Sequence, residues 1–222
     1  MILHALGGLA NRLQAVMSRR HRGPMQVIWD LHEPALAGVS FGDLFEPLDG
    51  VTFVSAGVGA DDTSFSVATD APEGWEKGYL ELRPKLSILD RIAEVRLRIG
   101  KTYAAMHVRR SSGFLENVAP MGGTTLDHEF FNFYVDTEPM AVFLATDNAE
   151  TQRMYLEKCQ RRIFLPREVK TGTERQGLGN HAIHTSVADA VVDLYVCAGA
   201  THFMGSRHSS FTDTINRLRS SR

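Results

Sequence analysis

Two adjacent arginines, Arg109 and Arg110, are the residues best suited to chemistry, because they follow a strand-like apolar run over 102–108. Ligands of an open α/β sheet bind outside the carboxyl ends of its strands. A guanidinium group is permanently charged, and its planar fork fits phosphate oxygens in a bidentate manner. The pair therefore predicts a site for an anionic group. The alternative is that both arginines are solvated or paired with a carboxylate.

Polar residues also follow two other strand-like runs in the second half of the chain. Asp147 comes after the run 141–145 and can accept hydrogen bonds from a nucleobase or a ribose, although Thr146 or Asp147 can equally cap the next helix. Ser209, Ser210 and Phe211 lie where the run 201–204 gives way to a helix. Hydroxyls and free N–H groups there suit a phosphate, with an ordinary serine cap as the alternative. Together these strand ends predict one crevice for a nucleoside diphosphate without a metal.

A glycine pair, Gly7 and Gly8, separates the first strand-like run from a helical pattern that contains Asn11 and Arg12. Glycines at such a junction allow close approach of an anion to the helix N–H groups, although a plain turn explains them as well.

Other candidates favour structural roles. Asp61 and Asp62 lie in a polar stretch and predict a solvated loop, and the triplet 127–129 points in three directions on a helix, which favours surface positions. His107 lies inside a strand and is expected to be a hydrogen-bonded core residue.

Composition limits the classes of partner. The 222 residues carry a net charge of −2, so we expect no nucleic-acid partner. The two cysteines have no metal-ligand spacing, and we predict no metal and no resident cofactor. No apolar run reaches the roughly 20 residues of a membrane span, and no basic leader opens the chain, so a cytoplasmic location is expected. The oligomeric state is not predicted.

Strand and helix patterns alternate along the whole chain. This alternation predicts an α/β fold with mainly parallel sheets flanked by helices. An amphipathic helix over 86–99 lies between two such series, whereas 61–72 is expected to be a loop or an edge hairpin and 111–123 a loop. We therefore expect two Rossmann-like halves, 1–98 and 99–222.

Several sequence blocks together resemble the fucosyltransferases related to nodulation protein Z and the α-1,6-fucosyltransferases. The blocks, in order along the chain, are GGLANRLQAVMS from Gly7, Trp29, FGDLF from Phe41, HVRR from His107, FLATD from Phe143, the segment 188–194 and the segment 205–211. The resemblance implies a GT-B-type fold and inverting, metal-independent transfer of fucose from GDP-fucose to a glycan hydroxyl. It implies that the first half faces the acceptor and the second half binds the donor.

The resemblance also implies roles for individual residues. Arg109 corresponds to the diphosphate-binding arginine and Arg110 to its supporting neighbour, while Asp147 falls where a carboxylate helps to hold the nucleoside. The loop that embraces the phosphates contains Ser209, Ser210 and Phe211. The face of the first half towards the second contains Gly7, Gly8, Asn11 and Arg12.

The sequence departs from the family pattern at two positions. Ser112 stands where the family often has an aspartate, and Glu116 is near the position of a base that some members use. Glu116 is therefore the candidate base. The alternatives are a catalytically silent nucleotide-sugar or glycan-binding module of the same fold, and a transferase for another nucleotide sugar.

Overall fold

Two four-stranded parallel sheets, each flanked by helices, organise the chain. The computed structural model describes residues 1–222 except 35, 37, 58, 160, 161, 166, 168, 170–174, 177–181, 184 and 222. The α/β class and the two parallel sheets predicted from the sequence are confirmed.

The strands are β1 (Ile2–Ala5), β2 (Met25–Ile28), β3 (Val51–Val54), β4 (Asp62–Ser64), β5 (Tyr103–Val108), β6 (Ala141–Thr146), β7 (Ile163–Phe164), β8 (Arg175–Gln176), β9 (Ala182–Ile183) and β10 (His202–Gly205). The helices are α1 (Leu9–Met17), α2 (Phe41–Leu44), α3 (Leu86–Ile99), α4 (Ser112–Val118), α5 (Asp127–Asp136), α6 (Ala149–Cys159), α7 (Val187–Gly199) and α8 (Ser210–Ser220). The first sheet has the order β3-β2-β1-β4 and the second has the order β10-β5-β6-β7, while β8 and β9 form a small antiparallel pair.

The segment 61–72 departs from the prediction of a loop or an edge hairpin. Its residues Asp62–Ser64 form β4, which pairs in parallel with β1. The Asp62 carboxylate lies 2.6 Å from Arg19 and 3.1 Å from Arg22, so two arginines at the end of α1 hold this edge strand in place. A strand that is held by ion pairs needs no alternating apolar pattern, which explains why the sequence did not reveal it.

The segment 111–123 was expected to be a loop, and this prediction was wrong. It contains α4, followed by a 3-10 turn over Ala119–Met121. Phe114 and Val118, four residues apart, are buried on the inner side of the helix. Burial of this apolar pair stabilises a helix that the surrounding glycines obscure in the sequence.

Helix α3 lies between the two sheets in the sequence and packs against α7. It buries one apolar stripe, which consists of Ile88, Ile92, Val95 and Ile99. The last helix, α8, returns to the first half, where Gln14 of α1 donates a hydrogen bond to the Ser210 carbonyl over 2.9 Å. One hydrophobic core therefore contains residues from both halves. The boundary at 98/99 remains a prediction. Among the described residues, no helix is long and apolar enough to cross a lipid bilayer.

Candidate functional site

The carboxyl ends of three neighbouring strands bring the predicted residues of the second half together. Strand β5 lies between β10 and β6, with Gly205 beside His107 and Thr146 beside Val108. The chain leaves these strands at Arg109, Asp147 and Ser206. Because parallel strands end at the same edge, the residues share one rim of the sheet.

Arg109 has a partly exposed side chain that the fold holds loosely. Its Nε lies 3.6 Å from a carboxylate oxygen of Asp147, which is beyond hydrogen-bond length, and its guanidinium lies 5.0 Å from the centre of the Phe114 ring. Its backbone N–H donates to the Ser206 hydroxyl over 2.9 Å. The backbone is thus fixed, while the buried Nε of the guanidinium has no hydrogen-bond acceptor among the described residues. Apart from the long ion pair with Asp147, the guanidinium is available to an anion.

Arg110 is committed to contacts within the protein. Its guanidinium donates to Asp127 over 2.6 Å, to the Thr125 carbonyl over 2.8 Å and to the Arg109 carbonyl over 3.0 Å. It also lies over the ring of Phe130. These contacts tie the end of β5 to the start of α5, which suits a residue that supports Arg109. Asp127 lies at the surface, as expected, with its side chain 45% exposed, and it additionally pairs with Arg110.

Asp147 does not cap α6, although the sequence left that alternative open. The cap is Asn148, whose side-chain oxygen accepts the N–H of Thr151 over 2.8 Å. The Asp147 carboxylate instead accepts the N–H of Arg110 over 3.3 Å and faces Arg109. Asp147 therefore orients the arginine pair in this structure, and its contact with a nucleoside remains a prediction.

The turn between β10 and α8 has an unusual backbone. His208 adopts a left-handed conformation with φ of +59°, which costs a non-glycine residue about 1–3 kcal/mol. Gly205 ends the strand because a Cβ there would lie 2.4 Å from the Thr212 side chain. Strain of this kind is typical of ligand-binding turns. Thr125 holds the turn in place, since its hydroxyl accepts the Arg207 N–H over 3.0 Å and donates to the Gly205 carbonyl over 3.1 Å.

His107 is a core residue, as expected, and lies directly beneath the turn. Its Nδ1 is 2.8 Å from the Thr212 hydroxyl, and its ring packs on Phe211 with centroids 4.7 Å apart. Burial and, to a smaller extent, the Arg109 charge lower the pKa of His107 to about 3. The imidazole is therefore neutral near pH 7 and fixes the position of Phe211.

Three buried polar atoms around this rim have no partner in the described part of the chain. They are Nε of Arg109 and the hydroxyl oxygens of Ser111 and Ser209. Ser209 precedes the first turn of α8 but makes no side-chain capping bond, and it is 1% exposed. Buried polar groups are usually hydrogen-bonded, so a cluster of unpaired donors beside a helix N-terminus indicates a place for an anionic ligand.

The glycine turn of the first half has a defined geometry. Gly7 has a φ of +84°, and a Cβ on it would lie 2.9 Å from the Asn11 side chain. Around Gly8, the position of a Cβ is open space. The backbone at Gly8 can therefore be approached by a ligand, and Asn11 lies beside the neighbouring Gly7.

Arg12 does not lie on the face between the halves, where the resemblance placed it. It is fully buried, donates to the Gly7 carbonyl over 2.8 Å and forms an ion pair with Glu33. Glu33 also accepts the Gly7 N–H over 3.1 Å. Arg12 and Glu33 therefore brace the glycine turn from inside the first half.

Glu116 lies on the exposed side of α4. It is two residues from Phe114, which places it on the opposite side of the helix from the ring that contacts Arg109. The side chain of Ser112 is outside the described residues. The described part of the chain contains no group of three or more His, Cys, Asp and Glu residues that could hold a metal ion.

Sequence reasoning gave no site role to three residues that shape the rim, namely Ser111, Thr125 and Asp127. Ser206 lies inside the predicted segment 205–211, and Ser111 follows the arginine pair, so their positions after β10 and β5 were a usable signal. Thr125 and Asp127 reach the rim only through the tertiary fold, and no local pattern indicates them.

Comparisons with known proteins give a consistent fold. No protein-family model matches the chain, and no curated protein matches it in sequence. An alpha-1,6-fucosyltransferase NodZ co-crystallized with GDP is similar in structure with a TM-score of 0.65 and 14% identity, covering 97% of this chain and 91% of that chain. The fucosyltransferase NodZ from Bradyrhizobium has a TM-score of 0.63 and 15% identity, covering 97% and 92%.

A second kind of neighbour matches less of the chain. POFUT1 in complex with GDP-fucose has a TM-score of 0.51 and 12% identity, covering 78% of this chain and 51% of that chain. At these identities the likeness concerns the fold. The chain thus has the GT-B-like fold of the NodZ fucosyltransferase, with two parallel α/β halves and a cluster of unpaired polar groups at one strand edge.

Proposed function

We propose that the protein is a glycosyltransferase that transfers fucose from GDP-fucose to a glycan hydroxyl. The observation that carries the proposal is the set of three buried donors without a hydrogen-bond partner among the described residues, at Arg109, Ser111 and Ser209, at the edge where α/β sheets bind ligands. The fold supports it, since the NodZ neighbour was crystallized with GDP and POFUT1 with GDP-fucose.

The diphosphate is the part of the donor that this rim suits best. The Arg109 guanidinium provides a permanent charge and a bidentate fork, while the first turn of α8 provides N–H groups and the Ser209 hydroxyl. As the sugar–phosphate bond breaks, negative charge grows on the leaving diphosphate, and Arg109 stabilises it electrostatically. Arg110 holds the Arg109 backbone and does not itself need to contact the donor.

The remaining roles follow the resemblance. Asp147 contributes to the nucleoside site, Ser210 and Phe211 complete the phosphate turn, and Gly7, Gly8 and Asn11 approach the donor from the first half. As the resemblance implies, transfer is inverting and needs no metal, and Arg109 and the N-terminus of α8 stabilise the negative charge of the diphosphate. Glu116 is the proposed base for the acceptor hydroxyl, and its carboxylate lies on the opposite side of α4 from the Phe114 ring that contacts Arg109.

Titration of GDP by calorimetry tests the donor site. Arg109→Ala removes one charge-assisted hydrogen-bonding partner, which contributes about 1.5–3 kcal/mol, so GDP affinity should fall roughly 10- to 100-fold. Arg109→Lys should restore little of it, because lysine keeps the charge but loses the fork.

A matched control is Arg98→Ala. Arg98 also has a long ion pair, 3.9 Å from Glu94, and also lies over a ring, 5.1 Å from the centre of Phe164, but it lies on α3 away from the rim. This variant should bind GDP like the wild type. Equal affinity in Arg98→Ala and Arg109→Ala would contradict the proposed donor site.

The silent binding module of the same fold is the second candidate, and the exposed position of Glu116 favours it. It predicts GDP binding with no release of GDP from GDP-fucose. A cytoplasmic location and a glycan acceptor belong to the transferase proposal.

A further inference from the structure

A second cavity, of about 560 Å³, lies at the opposite edge of the first sheet from the glycine turn. It is bounded by Met17 at the end of α1 and by the residues that precede β2 and β3. The nine residues of α1 separate it from the Gly8 turn, a distance of about 13 Å at 1.5 Å per residue. The cavity is therefore not part of the proposed donor site.

The cavity walls combine backbone, one indole ring and charged side chains. Gly23, Gly50, Gly74 and Gly78 contribute surface without side chains, so a ligand can approach the main chain closely. Trp75 contributes the indole, and the Arg217 guanidinium and the Tyr79 ring lie 5.0 and 6.0 Å from its centre. These contacts fix the ring beside exposed backbone, which forms a pre-organised surface for a ligand.

The cavity is lined by one guanidinium, that of Arg20, by two carboxylates, those of Asp49 and Glu81, and by the imidazole of His21. Arg20 pairs with Glu81 over 2.6 Å and donates to the Asp49 carbonyl over 3.4 Å. An anionic ligand would be repelled by both carboxylates. An apolar ligand would displace water from the Arg20–Glu81 ion pair without replacing its hydrogen bonds. A neutral ligand rich in hydroxyl groups can donate to the carboxylates and accept from the guanidinium.

We infer that this cavity is a binding site for a neutral oligosaccharide of about two or three pyranose rings. The C–H face of one ring packs on Trp75, and its hydroxyls bond to Glu81, Arg20 and the glycine-rich backbone. The cavity volume lies within the usual range for small-ligand sites, about 300–1,000 Å³. The inference does not depend on the proposed transfer reaction, since the site needs no nucleotide.

Intrinsic fluorescence tests the site directly. The chain has two tryptophans, of which Trp29 is 1% exposed, so an exposed-indole signal comes from Trp75. Titration with maltotriose, cellotriose, mannotriose and N,N′,N″-triacetylchitotriose, without nucleotide, should give a saturable blue shift with at least one trisaccharide. If none of the four changes the fluorescence or produces heat in a calorimeter, the inference is wrong.

Variants then locate the bound sugar by calorimetry. Trp75→Ala should lower the affinity for the trisaccharide about tenfold, and Trp75→Phe should recover part of the lost affinity. Phe65→Ala, which removes an aromatic side chain that is 60% exposed elsewhere, should bind like the wild type. Equal binding by Trp75→Ala and Phe65→Ala would overturn the inference. If Trp75→Ala does not fold, Glu81→Gln serves instead, because it changes a carboxylate that is half exposed. Unchanged trisaccharide affinity in Glu81→Gln would overturn the inference.

Discussion

Ser209→Ala should lower the affinity for GDP while it leaves the free energy of unfolding unchanged or raises it. The Ser209 hydroxyl is buried and has no partner among the described residues, so the free protein keeps a desolvated polar group at this position. An unsatisfied buried group costs about 1–3 kcal/mol. Deleting it should therefore leave the free energy of unfolding unchanged or raise it by up to about that amount.

The same deletion should lower the affinity for GDP. A hydrogen bond from a hydroxyl to a charged phosphate contributes about 1.5–3 kcal/mol, which corresponds to a loss of GDP affinity of roughly 10- to 100-fold. Chemical denaturation without ligand gives the first quantity, and calorimetric titration of GDP gives the second. Equal GDP affinity in wild type and Ser209→Ala would refute the assignment of the turn to the phosphates.

Ser206→Ala is the matched control. Ser206 is also a buried serine between β10 and α8, but its hydroxyl accepts the Arg109 N–H over 2.9 Å. Its deletion leaves that N–H unpaired and should lower the free energy of unfolding by about 1–3 kcal/mol. A Ser209→Ala variant that loses stability as Ser206→Ala does would show that the Ser209 hydroxyl has a structural partner.

Two further predictions concern the base and the buried histidine. Glu116→Gln should lower kcat by roughly 10²–10⁴ while GDP affinity stays unchanged, because the substitution removes the basic carboxylate and keeps the shape of the side chain. A near-normal kcat would eliminate Glu116 as the base and direct attention to Asp127, His128 or Glu129. The folded-state pKa of His107 is about 3, below the ordinary value of about 6.5, so the unfolded chain binds the extra proton between these pH values. This contribution to the free energy of unfolding is complete above pH 6.5 and is lost as the pH falls towards 3. The melting temperature should therefore change less between pH 7.5 and 4.5 in His107→Gln than in the wild type. Equal changes in the two proteins would contradict a buried neutral imidazole.

The sequence predicted the central geometry because strand order and strand ends follow from the alternation of elements. Once β5, β6 and β10 are parallel neighbours, Arg109, Asp147 and the 205–211 turn must share one edge. The helix cap illustrates the limit of this reasoning. Three successive residues, Thr146 to Asn148, can all cap a helix, and only the backbone geometry assigns that bond to Asn148.

Features that depend on tertiary contacts escaped prediction. Helix α4 forms because Phe114 and Val118 find a buried surface, which glycine-rich sequence around it does not reveal. The Asp127 carboxylate, 17 residues further along the chain, accepts a hydrogen bond from the Arg110 guanidinium. The fully buried Arg12 shows the reverse error, since a motif residue that resembled part of an interdomain face instead supports the turn from within.

The most direct test of the proposed function is release of GDP from GDP-fucose. The measurement is made in EDTA with a mixture of neutral and N-acetylated oligosaccharides as acceptors, beside parallel reactions with UDP-glucose and ADP-glucose. We expect acceptor-dependent GDP release that EDTA does not abolish and that Arg109→Ala reduces by roughly 10²–10³. GDP binding without release would identify a silent binding module, release that strictly requires a divalent metal would contradict the metal-free site, and faster turnover of UDP-glucose or ADP-glucose would contradict the assignment of the donor.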